Sequence, residues 1–541
     1  MQNRFNVRID FNDDRLENDA VTIYGTKNKV EAFIAFFGDF AFTADSDGKE
    51  FVFSYMNIEF LTKSLVTSVI VMPLYNDSIC TFKYTQKSDN KIVTIVKTAV
   101  YNKNNEFGFL AEEVYLQTTF PKTPFGPVAT SDFRIFGSCT EDVKMIGRIM
   151  DPINAWGDHF VIPSITNAEK DYIFSVPKQS YYLKGFITIL PIGQEDSLSV
   201  NVVGYVDGQK YSDNTIQYNT AIGNEQHYIS IWFDYNVDDE AKDSLSVNVV
   251  GYVDGEKYSD NTIKYNTAIG KEQHYISIWF DYNVDDEASI VISASSPIAL
   301  SFATPWSIDD TDQDKPCYIA FMLMPVVQQN CYHNLINPDQ RIITNVFTSI
   351  VYISPPAVDA NCNEEFLLNV FNEKDNMKGS IKTISKTIPN HINLDGEISE
   401  IATTTVNGQI PMYRIGASPR IPGIDTQGHF AHYIPSTQEW INGKTPFYIL
   451  GTDCSLEIYT TDINPDSIQI DEVIGTKYGL NLQKNNYFGH EYGYYITSIK
   501  NYGLHTIESN SSYTAFVICK RINSIADIAG YLIGFNKRKA L

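Results

Sequence analysis

The amino-acid sequence predicts an all-β protein made of several jelly-roll-like β-sandwich domains, with a tandemly duplicated three-stranded module and few short helices. Three observations lead to this fold class. Aromatic residues, which suit the half-buried surfaces of pleated strands, make up 13% of the 541 residues. Runs rich in β-branched and aromatic residues alternate with short turn clusters along most of the chain. The stretch 196–241 has strand-like alternation and returns almost letter for letter at 243–288.

The N-terminal part contains the clearest strand-like runs. Examples are FVFSYMNIEF, LVTSVIVMPLY and KIVTIVKTAVY, which begin at Phe51, Leu65 and Lys91. The polar cluster TADSDGKE, residues 43–50, precedes the first of them and predicts a hairpin turn. Residues 26–37, TKNKVEAFIAFF, fit either a helix or a strand.

Two proline-containing stretches with few core residues mark the predicted domain limits. They are TTFPKTPFGPVATS at 118–131 and YISPPAVDANCNEE at 352–365. Proline breaks strand ladders and holds the chain extended, so such stretches are typical of linkers. The sequence therefore predicts an N-terminal β domain at 1–125, a central domain at 126–355 and a C-terminal domain at 356–541.

Two segments favour helices. In EDVKMIGRIMDPINAWG, which begins at Glu141, Val143, Ile146 and Ile149 recur at three-residue spacing before a proline. The other segment is near the C-terminus, at residues 524–535.

The C-terminal segment SIADIAGYLIGF carries a helical apolar stripe that includes Ile525, Ile528 and Leu532. Such a stripe needs cover, so these residues are predicted assembly contacts with a neighbouring subunit. A less favoured partner for this stripe is a membrane surface, which the basic run at 537–539 would help to bind. The C-terminal helix is the only segment for which membrane contact is predicted.

Each copy of the repeat predicts a three-stranded meander. In the first copy Leu198 and Val200 alternate with Ser199, which places apolar and polar side chains on opposite faces. The dipeptide Asp207-Gly208 then predicts a tight turn, because glycine tolerates a positive φ.

The differences between the two copies support this interpretation. They are Gln209 against Glu256, Gln217 against Lys264, and Asn224 against Lys271. All three lie at predicted turns or on the predicted polar face, where a change of charge costs little. Three antiparallel strands would also reverse the direction of the chain, so the repeat is predicted to be a module outside the main sheet of the central domain. A crossover through the acidic link DYNVDDEAKD would restore the direction equally well.

Composition limits the partners and the compartment. The chain has 65 acidic and 41 basic residues, a net charge of −24, which disfavours direct binding of nucleic acid. Seven cysteines are scattered without a C-x-x-C pair, which indicates mostly buried free thiols in a reducing compartment. The N-terminus shows no apolar leader, so we expect synthesis in the cytoplasm without a signal peptide and a final location in a virion.

Motifs for metal or covalent chemistry are weak. HFAH, from His429 to His432, lacks an acidic third ligand and favours a solvated loop. Cys331 and His333 favour core packing over a nucleophile pair. The alternating acids Asp310, Asp312 and Asp314 are a minority candidate for calcium, since the loop lacks the glycine and the distal glutamate of a calcium loop.

The sequence therefore predicts no catalytic residue, cofactor or metal. The expected function is that of a non-enzymatic structural protein of a self-assembling particle, a virus or phage capsid or virion component at an outer shell, vertex or spike. Its partners would be copies of itself and other particle subunits. Two alternatives stay open: a carbohydrate-binding or adhesive β protein, with Trp232 and Trp279 as surface contacts, and a glycan-active hydrolase.

Overall fold

The structure is almost entirely β and sandwich-like, so the all-β prediction is confirmed at this level. The computed structural model describes residues 44–58, 65–118, 132–153, 156–177, 186–192, 198–218, 221–222, 245–249, 251–259, 261–265, 288–304, 319–326, 340–344, 348–356, 366–372, 379–384, 390–394, 400–405, 410–417, 429–522 and 528–538. The stretch 26–37, predicted as helix or strand, lies outside them.

The described residues form 33 strands, numbered here in chain order. The first eleven are β1 Gly48–Phe53, β2 Tyr55–Ile58, β3 Val66–Pro73, β4 Ser78–Thr85, β5 Ile92–Ala99, β6 Glu106–Phe109, β7 Tyr115–Thr118, β8 Ile135–Asp151, β9 Trp156–Ile162, β10 Glu169–Val176 and β11 Phe186–Pro191. The next eleven are β12 Leu198–Tyr218, β13 Leu245–Val249, β14 Gly251–Ser259, β15 Asn261–Tyr265, β16 Ala288–Thr304, β17 Ile319–Leu323, β18 Gln340–Thr344, β19 Thr348–Ile353, β20 Phe366–Asn372, β21 Ser380–Ile384 and β22 Asn390–Leu394. The last eleven are β23 Glu400–Thr405, β24 Met412–Ala417, β25 His429–Tyr433, β26 Ile441–Ile449, β27 Asp453–Thr460, β28 Ile468–Ile470, β29 Val473–Ile474, β30 Gln483–Tyr487, β31 His490–Ile499, β32 Gly503–Lys520 and β33 Ile528–Leu532.

Helices are short in the described part of the chain. The α-helices are α1 Ala111–Val114 and α2 Gly475–Tyr478, and the 3₁₀ turns are Ile165–Asn167, Thr437–Glu439 and Pro465–Ser467. Each spans a single turn, so strand pairing organises the fold.

The strands form six sheets. The seven-stranded sheet has the order β5-β4-β8-β3-β6, with β1 and β9 also on β8. One eight-stranded sheet is built around β16 and contains β10 to β17, and the other is built around β32 and contains β26 to β33. Two four-stranded sheets have the orders β18-β23-β20-β21 and β22-β19-β24-β25, and β2 and β7 form a two-stranded sheet.

Three long strands hold the large sheets together. The two halves of β8, β16 and β32 pair mostly with different partners: for example, β32 pairs with β26 and β28 over its first half and with β27 and β33 over its second. Short polar segments lie between the halves, namely TED at 140–142, SASS at 293–296 and SNSS at 509–512. A strand that changes partners in this way forms the corner between two packed layers.

The helix predicted from Glu141 is wrong, because this segment belongs to β8. In the first half of β8 burial alternates, since one face meets solvent. From Val143 to Gly147 every residue is buried, because both faces are covered. A run buried on both faces has no two-residue period, and the three-residue spacing of Val143, Ile146 and Ile149 arises within such a run.

The helix predicted at 524–535 is also wrong over the residues described there. Ile528–Leu532 is β33, which pairs antiparallel with β32, and each of its five residues is buried. A Cβ at Gly530 would lie 3.1 Å from the Phe430 ring and 3.2 Å from Ile518, which shows how closely the layers approach. The helical stripe arose because this strand, too, is apolar on both faces.

The repeat begins as predicted and then departs from a meander. Leu198 and Val200 are buried and Ser199 is half-buried, which confirms the alternation at this point. The strand β12 then continues through Asp207-Gly208, and β14 passes likewise through the matching dipeptide of the second copy, so the tight turn predicted there is wrong. The register shifts after Asp207, which indicates that a bulge accommodates the dipeptide.

The two copies pair with each other in parallel. Tyr205 of β12 lies opposite Gly251 of β14, and Asn201 lies opposite Asn248 of β13. Val202 also pairs with Ile292 of β16, so the first copy begins inside the eight-stranded sheet that contains β16. For this strand, the prediction of a module outside the main sheet is therefore wrong. The predicted third strand of each copy lies outside the described residues.

The prediction of free thiols is wrong for four cysteines. Cys80 lies opposite Cys139 on β4 and β8, and Cys454 lies opposite Cys519 on β27 and β32. Each pair forms a disulfide, across sequence separations of 59 and 65 residues. Cysteines so far apart in sequence form no local motif, and only the strand register brings them together.

The described residues belong to one compact unit, Phe42–Leu541. Its core lies in two main clusters, one of them between β3, β8 and the C-terminal eight-stranded sheet. The predicted limit at 125 lies outside the described residues, and β8 beyond it pairs with β1, β3 and β4. At the predicted limit of 355, β19 pairs with the later strands β22 and β24. The domain limits stay a prediction.

Candidate functional site

The C-terminal tail, residues 533–538, covers a small cavity that is lined in part by charged side chains. The tail follows β33 directly, so the sheet positions it. The cavity is water-sized, with a volume of about 30 Å³. It is lined by Asn167, Glu169, Met324, Pro325, Val326, Glu439, Phe535, Asn536, Lys537 and Arg538. This volume is far below that of a small-molecule site, so the charged residues around it are better described as a structural clasp.

One side of the tail is bound to the predicted turn near the start of the described chain. Ser46 N–H donates to the Phe535 carbonyl at 3.0 Å, and Phe535 N–H donates to Ser46 Oγ at 3.3 Å. Lys537 N–H donates to the Asp45 carboxylate at 2.8 Å. TADSDGKE does contain a turn, with Asp47 N–H bonded to the Ala44 carbonyl at 2.8 Å. The predicted hairpin is not shown, because β1 after the turn pairs with β8 and the residues before 44 lie outside the described ranges.

The other side of the tail is bound to two more distant segments. Asn536 N–H donates to the Glu439 carbonyl at 2.8 Å, and the Asn536 side chain donates to the Trp440 carbonyl at 2.8 Å. Lys537 Nζ forms an ion pair with Glu169 and donates to the Thr166 carbonyl at 3.2 Å. The tail therefore joins three parts of the chain that are far apart in sequence.

The Glu439 carboxylate is held by several donors. Ser436 N–H donates to it at 2.7 Å and Tyr433 Oη at 2.9 Å, while Arg341 lies 3.9 Å away. Arg341 also donates to Tyr433 Oη at 3.1 Å, so the three side chains form one buried network. A carboxylate with this many donors is fixed in place, which suits a structural role.

A second buried pair lies beneath the tail. Lys144 Nζ donates to Asp47 Oδ1 at 2.6 Å, and both side chains are almost fully buried. Burial raises the pKa of Asp47, and the lysine opposes that rise only in part. A Cβ at Gly534 would lie 2.8 Å from Lys144 Nζ, so glycine lets the tail pass directly over this pair.

The site is therefore a clasp whose acids and bases neutralise one another. Glu169 faces Lys537, Asp47 faces Lys144, and Glu439 faces Arg341. Among the described residues no group of three or more histidine, cysteine or acidic side chains is placed to hold a metal ion.

Most sequence-predicted site residues lie outside the described residues. These are Trp232, Trp279, Asp310, Asp312, Asp314, Cys331, His333 and Ile525. Ile528 and Leu532, predicted as assembly contacts, are described, and both side chains are buried within this chain on β33. Of the basic run, Lys537 binds Glu169 and Arg538 is buried, while the third residue is not described.

The HFAH motif lies on β25 and not in a solvated loop, so that prediction is wrong. His429 and His432 are both buried, and the His432 ring stacks on Phe516 with centroids 4.1 Å apart. Burial, reinforced by the nearby Arg414 charge, holds the pKa of His432 well below its usual range. His432 is a neutral packing residue at pH 7.

Sequence reasoning missed the buried arginines. Arg134 donates to both oxygens of Asp132 at 2.9 and 2.8 Å, and to the Pro191 carbonyl at 2.9 Å. Arg414 donates to Glu457 at 2.7 Å and to Ser349 Oγ at 3.1 Å. The available signal was a single arginine beside apolar residues within a strand, as in MYRIGA and QRIIT.

Comparisons with known proteins give no further identification: no family model matches the chain, and the search of curated proteins gives no match. Among the described residues no helix is long and apolar enough to cross a membrane.

Proposed function

We propose that the chain is a non-enzymatic structural subunit of a self-assembling particle, a virus or phage virion component at an outer shell, vertex or spike. Its domains would be jelly-roll-like sandwiches, and its duplicated segment would extend one sheet by parallel pairing of the two copies. Its partners would be further copies of itself and other particle subunits.

The observation that carries this proposal is the use of buried charge. Pairs such as Lys144–Asp47 and Arg414–Glu457 each join segments at least 43 residues apart. Charges buried in pairs are strongly fixed, because breaking one pair leaves an uncompensated charge in the interior. Ionisable groups used in this way brace a rigid scaffold, which a shell or spike subunit needs.

Two further features support the same proposal. The net charge of −24 favours an outer position over one that grips a genome. Two cross-strand disulfides brace the seven-stranded sheet and the C-terminal eight-stranded sheet, which suits a protein that must survive outside a cell.

Sedimentation velocity on the purified full-length chain tests the proposal, with electron microscopy of the same sample. We expect a discrete high-order oligomer or a particle. A chain that stays monomeric at every protein and salt concentration would overturn the proposal.

A further inference from the structure

Strand β5, Ile92–Ala99, is an open edge of the seven-stranded sheet. It pairs with β4 along its whole length, from Ser78 opposite Ala99 to Thr85 opposite Ile92. Within the described ranges no strand pairs with its other edge. An unpaired edge presents a row of backbone donors and acceptors to which another strand can be added.

The side chains of this edge are unusually apolar for a solvent-facing strand. Ile92 is 51% exposed and Val96 is 61% exposed, and on the neighbouring strand β4 Ile79 is 51% exposed. The register places Thr81 opposite Val96, so these side chains share the outer face of the sheet. Proteins usually protect such an edge with charged side chains, proline, a bulge or a covering segment. Strand β5 contains no proline, and its one charged residue is Lys97.

The hairpin is also basic on an acidic chain. Residues 78–100 contain four lysines and one aspartate, a net charge of +3, against −24 for the whole chain. The lysines are all exposed, and they are Lys83, Lys87, Lys91 and Lys97. The acidic surface of another copy would therefore attract this hairpin, whereas the β4–β5 hairpin of that copy would repel it.

We infer that β5 is the docking edge for a second copy of this chain, which meets it through an acidic part of its surface and not through its own β5. This inference rests on the proposed function and names the contact that builds the particle. A contact between two different surfaces of one protein does not close on itself as a two-fold dimer does. It continues from copy to copy into rings or extended arrays.

Substitutions at Val96 test the docking edge without disturbing the core, since this side chain points to solvent. Val96→Glu adds a carboxylate against an acidic partner and should weaken association by about tenfold or more. Val96→Lys removes the same apolar contact but adds an attractive charge, so its loss should be clearly smaller. Ile153→Glu changes an apolar residue in a turn that is even more exposed, at 75%, and should leave association unchanged.

Sedimentation velocity of the full chain measures these effects, and hydrogen exchange reports whether β5 amides become protected on association. Association with β5 protected and weakened by Val96→Glu supports the inference. Association with β5 unprotected and unaffected by Val96→Glu overturns it and leaves the proposed function standing. Equal losses for the two Val96 variants overturn the acidic partner surface. A wild-type chain that never associates overturns both proposals.

Discussion

The buried pair Arg414–Glu457 allows a quantitative test of how the sheets are held together. Arg414 lies on β24 of a four-stranded sheet, and Glu457 lies on β27 of an eight-stranded sheet. Both side chains are fully buried, the shorter N–O distance is 2.7 Å, and the guanidinium lies 5.1 Å from the centroid of the Phe430 ring. The perturbation is to remove each partner alone, as Arg414→Met and Glu457→Leu, and then both together.

The expected magnitude follows from burial. Two unit charges about 4 Å apart attract by about 4 kcal/mol at an effective dielectric constant near 20. Removing one partner also leaves the other charge buried without its counterion, so each single variant should lose about 3–5 kcal/mol of unfolding free energy. The double variant replaces the pair by apolar side chains of similar size. It should lose much less than either single variant, because replacing a buried ion pair by well-packed apolar side chains is often neutral or stabilising.

Urea titration followed by circular dichroism measures the four unfolding free energies and hence the coupling energy. A control cycle on the exposed pair Lys484–Glu491, whose nitrogen and oxygen atoms are 3.9 Å apart, should give a coupling energy below about 1 kcal/mol. The reasoning is refuted if the losses at Arg414 and Glu457 add within about 0.5 kcal/mol, because additivity would mean that the two charges do not interact.

Three further predictions follow from the described residues. Burial holds the pKa values of His159 and His432 well below the usual range, so on acidification the unfolded chain binds protons that the folded chain does not. The free energy of unfolding should therefore fall as pH drops below about 6.5, by up to about 1.4 kcal/mol per pH unit for each histidine. Replacing both histidines by glutamine should make the urea midpoint depend less on pH. Cys80→Ser with Cys139→Ser should cost up to about 4 kcal/mol, given the 59-residue separation. Alkylation of the wild-type protein, denatured without reduction, followed by mass spectrometry should leave both cysteines unlabelled, and labelling of either would contradict the disulfide. Deleting residues 533–541 removes the clasp but leaves β33, so the melting temperature should fall while the β-type circular dichroism spectrum persists, and an unchanged melting temperature would show that the clasp contributes nothing.

Some features could be predicted because they depend on local pattern. Aromatic and β-branched runs indicated strands, and the alternation of Leu198, Ser199 and Val200 gave the correct faces at the start of β12. The polar cluster at 43–50 indicated the turn to which the C-terminal tail binds. In each case the side chains meet solvent on one face or at one end of the element. This contact with solvent produces a pattern of polar and apolar residues that can be recognised in the sequence.

Other features were decided only by tertiary structure. The segments 141–151 and 528–532 are strands covered on both faces, so their apolar residues carry no two-residue period and resembled helices. The partners of Cys80 and Arg414, and the parallel pairing of the repeats, depend on which distant strands lie side by side. Strand order and register are set by contacts between residues far apart in the chain, and local propensity carries no information about them.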